Sequence, residues 1–197
     1  MEISVFLTVF TLIFVAELPD KTALAVFLMA TRGKALPIFA GVAAAFFIQC
    51  LIAVSFGSLL GLLPEKWVHT GAGLLFIGFA IHTWFFHDKE AAETEKETPV
   101  LSTRTKFRAA AWKAFLVIFI AEWGDMTQLA TASFAARFHE HPVTVFLGAT
   151  TALCCVAGLA VLAGKKIGHV VHVDILKKVS TVLFAVVGIS FIVSAWH

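Results

Sequence analysis

Asparagine is absent from the 197 residues, and charged residues make up only 14% of them. The first absence removes every N-glycosylation acceptor. The second, set beside 59% hydrophobic residues and a mean hydropathy of +0.91, excludes a soluble globular domain, because a chain of this size cannot hide that much apolar surface from water. A formal net charge of only +2 gives no reason to expect a nucleic-acid partner. The three cysteines, Cys50, Cys154 and Cys155, fall inside apolar runs and form neither a disulfide framework nor a zinc pattern; they read as small core residues. No phosphate loop, nucleophile elbow or metalloprotease helix is present, so no enzyme is expected. The start, Met1-Glu2-Ile3-Ser4, has no basic n-region and no small-residue cleavage signal, and the first apolar run is expected to be a retained helix.

What is present is a series of apolar runs long enough to cross a bilayer, which takes about 20 residues. Six spans are predicted: 3–30, 36–62, 67–86, 109–136, 142–164 and 175–196. The first and fourth are long for a single crossing and are expected to be tilted, or broken near their middles. Between the third and fourth spans, residues 87–108 carry ten charges, five of each sign, and read as a solvated linker. Trp84 and Trp196 lie at span ends, where aromatic anchors are common.

The linker separates two similar halves, 1–86 and 109–197. Ala16, Glu17, Asp20, Thr22, Leu24, Ala25, Ala30 and Arg32 recur as Ala121, Glu122, Asp125, Thr127, Leu129, Ala130, Ala135 and Arg137, each 105 residues later. Phe39, Gly41, Gly57 and Gly61 recur 107 residues later as Phe146, Gly148, Gly164 and Gly168. Three spans per unit place the two units in opposite orientations. Charge agrees: with the N-terminus outside, twelve of the 15 Lys and Arg residues flank spans on the cytoplasmic side, whereas Lys66 and Arg137 lie outside and Lys21 within the membrane. The expected fold is therefore all-α and integral to the membrane, with six helices as two inverted three-helix repeats, N-out and C-out. Inverted repeats with a site near the midplane are a common transporter plan. The Gly57-x-x-x-Gly61 and Gly164-x-x-x-Gly168 pairs read as ridges for close helix packing.

The chemistry sits in two strings at the middle of the long spans, Glu17-Leu18-Pro19-Asp20-Lys21-Thr22 and Glu122-Trp123-Gly124-Asp125-Met126-Thr127. Carboxylates at membrane depth cost roughly 2.5–3.5 kcal/mol each on insertion scales, so four of them in two matched pairs point to ion or proton handling. Glu and Asp at i and i+3 would share one helix face, and two such faces would bring four carboxylates together. Hard oxygen ligands suit Mn²⁺, Ca²⁺ or Mg²⁺; the lack of His and Cys argues against zinc or copper. Thr22 and Thr127 add hydroxyls, and Gln49 and Gln128 are weaker ligand candidates. Pro19 and Gly124 occupy matching positions, and each weakens the helix in its own way. Four ionised carboxylates would repel one another, so an empty site should hold protons that a divalent cation displaces. The alternative is a set of buried ion pairs locking helices together, for which Lys21 is the one base within a span; it would either hold a carboxylate or act as a built-in counter-ion. His82 reads as structural, and His139-Glu140-His141 as an exposed loop with weak metal-gathering capacity.

These two strings resemble the paired E-x-G-D-[KR]-[ST] signatures of the Gdt-type cation transporter family, which includes bacterial manganese exporters and Golgi manganese/calcium transporters. The resemblance covers nearly the whole chain. It departs at Pro19, in place of Gly, and at Met126, in place of a basic residue. It implies divalent cation/proton antiport with Glu17, Asp20, Glu122 and Asp125 as ligands, together with Thr22 and Thr127, and no prosthetic group. Mn²⁺ is the expected substrate, with Ca²⁺ the nearest variant, H⁺ the coupled ion and the bacterial inner membrane the expected location. An oligomer is compatible with the sequence. Other readings are an exporter of small organic cations such as basic amino acids, disfavoured by four converging acids, and a non-transporting membrane scaffold, disfavoured by the shortage of bases within the spans.

Overall fold

The computed structural model describes residues 2–18, 21–60, 62, 64, 66–68, 70–78, 80–81, 84–85 and 106–166, together with 181–182, 185–186, 189, 192–193 and 196. Pro19, Asp20, the Lys21 side chain, His82, Gly61, Gly168 and the linker up to residue 105 lie outside this description. All regular structure among the described residues is helical. The first half contains α1 (Ile3–Glu17), α2 (Lys21–Arg32) and α3 (Ala35–Leu60); the second contains α4 (Phe107–Ala121), α5 (Met126–Arg137) and α6 (Pro142–Lys166). The described residues of the third and sixth predicted spans are also helical.

The two long helices arise from uninterrupted apolar sequence. At 1.5 Å per residue, the 26 residues of α3 reach roughly 39 Å, enough to cross a hydrocarbon core of about 30 Å. Residues 142–164 of α6 are likewise long and apolar enough. The first predicted span, 3–30, is not one helix. It divides at the motif into α1 and α2, whose axes differ by 64°, and the pair together has the length and hydropathy of one broken span. The fourth divides in the same place, between Ala121 and Met126.

Burial follows a matched pattern. α1 buries Val5, Val9, Ile13 and Glu17, one residue per turn on a single face. α4 and its cap bury Ala110, Ala114, Ile118 and Glu122, each 105 residues further on. α3 buries Ile38, Val42, Ala45, Phe46, Cys50, Ala53 and Val54; the residues 107 further on, Val145, Ala149, Ala152, Leu153, Ala157, Ala160 and Val161, are buried on α6. The opposite faces carry exposed Phe47, Leu51, Phe56 and Leu59 on α3 and Leu147, Leu159 and Leu162 on α6. Such faces are at home in lipid, where apolar exposure carries no penalty. Cys50 is buried with the core, as its apolar setting suggests, but Cys154 is only half-buried and Cys155 points outward. That departure follows from the α6 stripe, since both residues lie between the buried positions Leu153 and Val156.

α3 and α6 pack against one another, and each receives the broken pair of the other half: α4 and α5 lie on α3, α1 and α2 on α6. Glycines set how closely these helices approach. A Cβ on Gly41 would overlap the carbonyl oxygen of Ala111, and one on Gly57 that of Ala132. In the other half a Cβ on Gly148 would lie 3.2 Å from Phe6 O, and one on Gly164 2.6 Å from Phe27 O. Ala111 and Phe6 are again 105 residues apart, as are Ala132 and Phe27. Phe76 of the third span meets Phe134 of α5 with ring centroids 5.2 Å apart. Near the chain's end the Lys66 ammonium lies 3.5 Å from the centroid of the Trp196 ring, which joins the start of the third span to the end of the sixth.

Gly57→Ala should therefore lower the melting temperature in detergent, with a destabilisation of about 1–3 kcal/mol from overpacking. Gly71→Ala, at a helical position with open space beyond the backbone, should leave stability unchanged or raise it. Thermal unfolding of the two variants beside wild type checks the contrast.

Candidate functional site

Both motif glutamates occupy helix C-termini. Glu17 is the last residue of α1, and Glu122 is the C-cap of α4. Their relative exposures are 0% and 1%, although each lies beside a break in the helix. Burying a carboxyl group in an apolar bundle is tolerated only with polar partners. Thr22, in the first turn of α2, supplies one of them: its hydroxyl donates to Glu122 Oε1. This bond joins the first motif to the second across 100 residues of sequence. Thr22 and Thr127, at matching positions on α2 and α5, are both buried. Cys50 of α3 lies beside Thr150 of α6, with Glu17 and Cys154 within electrostatic reach. Sequence reading did not single out Cys50 in the surroundings of Glu17 or Thr150 beside Cys50, and no motif marks either.

The second break is fully described. Glu122 and Asp125 do not share a helix face, as their i, i+3 spacing suggests; they are the two ends of a tight turn. Asp125 N–H donates to the Glu122 carbonyl at 3.1 Å, and Gly124 takes φ +78°, a left-handed conformation that favours glycine. The glycine thus converts a helical spacing into a turn that reverses the role of its ends: Glu122 closes α4 and Asp125 opens α5. Asp125 Oδ2 accepts from Thr127 N–H at 3.5 Å as the N-cap of α5. A carboxylate there is also favoured by the partial positive charge of the helix N-terminus. Asp125 is half-buried, more open than Glu122.

Two glutamines hold this turn. Gln128 Oε1 accepts from Gly124 N–H at 2.7 Å. Gln49, buried on α3, donates through Nε2 to the Phe119 carbonyl at 2.9 Å. In an unbroken helix that carbonyl would pair with Trp123 N–H, which instead donates to the Ile120 carbonyl. Gln49 therefore satisfies an acceptor released by the end of α4. Thr131, one turn into α5, donates to the Thr127 carbonyl.

The structure thus brings together Thr22 and Glu122, buries Glu17 and Thr127, and puts Asp125 and Gln128 at the second turn, with Gln49 reaching the end of α4 from α3. Among the described residues no three of His, Cys, Asp and Glu converge closely enough to hold a metal ion. Asp20 lies outside the described residues. His139 and Glu140 are exposed in the turn after α5, and His141 is half-buried.

A membrane protein with broken helices and buried carboxyl groups at the breaks belongs, as a class, with ion-coupled transporters. The comparisons with known proteins agree. The family model described as "Divalent cation/proton antiporter GDT1" matches residues 5–91 and 110–197. GDT1-like protein 5 of Arabidopsis thaliana is 29% identical over 208 residues, covering 89% of this chain and 90% of that protein. GDT1-like protein C17G8.08c of Schizosaccharomyces pombe is 27% identical over 229 residues, covering 92% of this chain and 79% of that protein. No solved structure matches. The chain belongs to the GDT1 family of divalent cation/proton antiporters, whose members are transporters and not enzymes.

Because Gly124 is left-handed, Gly124→Ala should destabilise the protein by about 1–2 kcal/mol even though nothing lies near its Cβ direction. Gly124→Asn should cost less and Gly124→Val more. Melting temperatures in detergent should fall in the order wild type, Asn, Ala, Val.

Proposed function

We propose that this chain exports Mn²⁺ from the cytoplasm in exchange for protons, through one midplane site shared by its two motifs. The observation that carries this reading is the Thr22–Glu122 hydrogen bond, a direct polar contact between the first motif and the second at a position buried from all sides. Glu17, Asp20, Glu122 and Asp125 supply the carboxylates, and Thr22 and Thr127 the hydroxyls. An oxygen-only set suits Mn²⁺ and Ca²⁺ better than softer metals. Buried carboxyl groups that lose protons to a cation and regain them from the opposite side give antiport in its simplest form.

The two motif-bearing units act as inverted repeats, N-out and C-out, in the inner membrane of a bacterial cell. Several observations support this arrangement. Buried positions match between halves at fixed offsets, and the glycine contacts Gly41–Ala111 and Gly57–Ala132 are mirrored by Gly148–Phe6 and Gly164–Phe27. The family model matches two separate stretches, one in each half. Lys66 over Trp196 puts the start of the third span beside the end of the sixth, as required if both face outside. Twelve basic residues then lie inside.

The test is Mn²⁺ flux in proteoliposomes under an imposed pH gradient, with Ca²⁺ in parallel. Flux should follow the proton gradient in wild type and fall at least 100-fold in both Glu17→Gln and Glu122→Gln, a loss of about 2.7 kcal/mol. Well-folded wild-type protein that moves neither ion contradicts the reading, and a Ca²⁺ rate above that of Mn²⁺ reassigns the substrate.

A further inference from the structure

The second break carries two amide braces, and the positions that match them hold residues that cannot repeat them. Gln128 accepts from Gly124 N–H, inside the turn, and Gln49 donates to the Phe119 carbonyl, just before it. One amide serves as acceptor and the other as donor, and they grip the turn from α5 and from α3. At the positions matching Gln128 and Gln49 the chain has Ala23 and Val156, whose side chains carry no hydrogen-bonding group. Gly124 is matched by Pro19, whose ring fixes φ near −65° and cannot take the left-handed conformation that the braced turn uses.

We infer that Gln128 and Gln49 are positioning residues that hold the Glu122–Asp125 turn rigid and so keep Glu122 aimed at Thr22. The inference rests on the reading of Glu122 as part of the cation site. Gln128 Oε1 accepts from Gly124 N–H at 2.7 Å, so this amide bears on the cation site by holding the turn. The turn has space beside it into which its backbone could move: Trp123 and Gly124 are both exposed, and no atom lies within 4 Å of a Cβ built on Gly124. Without the braces the backbone has room to unwind or rejoin the helices, and the arrangement that presents Glu122 is populated only part of the time. Apparent affinity falls by that fraction, because a cation binds only the competent arrangement.

The experiment combines amide hydrogen exchange with transport on full-length protein. Variants are Gln128→Met, which keeps the length and removes the oxygen; Gln128→Glu, which keeps an acceptor; and Gln49→Met, which removes the donor. In Gln128→Met, exchange at the Gly124 amide should quicken about fivefold, the scale of one net hydrogen bond, while exchange within α3 and α6 stays unchanged. The Mn²⁺ concentration for half-maximal flux in proteoliposomes should rise by about the same factor. Gln128→Glu should restore both readouts towards wild type, and Gln49→Met should raise the half-saturating concentration similarly. Unchanged Gly124 exchange in Gln128→Met overturns the inference, as does quicker exchange with unaltered half-saturation. Glu122→Gln serves as the separate check on the site itself: wild-type transport by that variant sinks the site reading, and this inference with it, whatever the exchange data show.

Discussion

The hydrogen bond from Thr22 to Glu122 is the constraint on which the rest of the arrangement depends. A carboxyl group in an apolar bundle must find polar partners, and in a membrane water is not at hand to supply them. Here the partner for the second motif comes from the first. Thr22 lies in the first turn of α2 and Glu122 caps the end of α4, so the contact is made where two helices begin and end inside the protein.

Close backbone packing makes the contact geometrically available. α3 and α6 present glycine where α4, α5, α1 and α2 cross them, so carbonyl oxygens of those helices lie where a Cβ would otherwise stand. With no hydrophobic effect between helices in lipid, such small-residue contacts provide much of the attraction. The long helices act as rigid supports, and the short, broken ones carry the ionisable groups. At the second break a left-handed glycine, an N-capping aspartate and two amides fix the turn.

Much of this was legible in the residues. Apolar run length gave α3 and α6 directly, and the 105- and 107-residue offsets read from the sequence relate the buried positions of α1 to those of α4 and those of α3 to those of α6. Gly57 and Gly164 were readable as packing glycines because small residues at span interiors have few other uses. Less was legible at the motifs themselves. The i, i+3 spacing of Glu122 and Asp125 suggests a shared helix face, but one left-handed glycine turns that spacing into a cap-to-cap turn. Gln49 and Gln128 look like ligands in sequence, since an amide oxygen is a reasonable cation partner; which backbone group each would meet depends on where α4 ends, and that is set by tertiary contact. The proximity of Thr22 to Glu122, or of Cys50 to Glu17, is a property of how the halves interlock and leaves no local signature.

The central claim is that the two motifs form one cation site and not two. Equilibrium binding of Mn²⁺ to purified protein, counted by electron paramagnetic resonance of free and bound ion, tests it directly. One shared site predicts one Mn²⁺ bound per chain in wild type and none at the same concentration in either Glu17→Gln or Glu122→Gln. Two ions per wild-type chain, with each single variant retaining one, would contradict it.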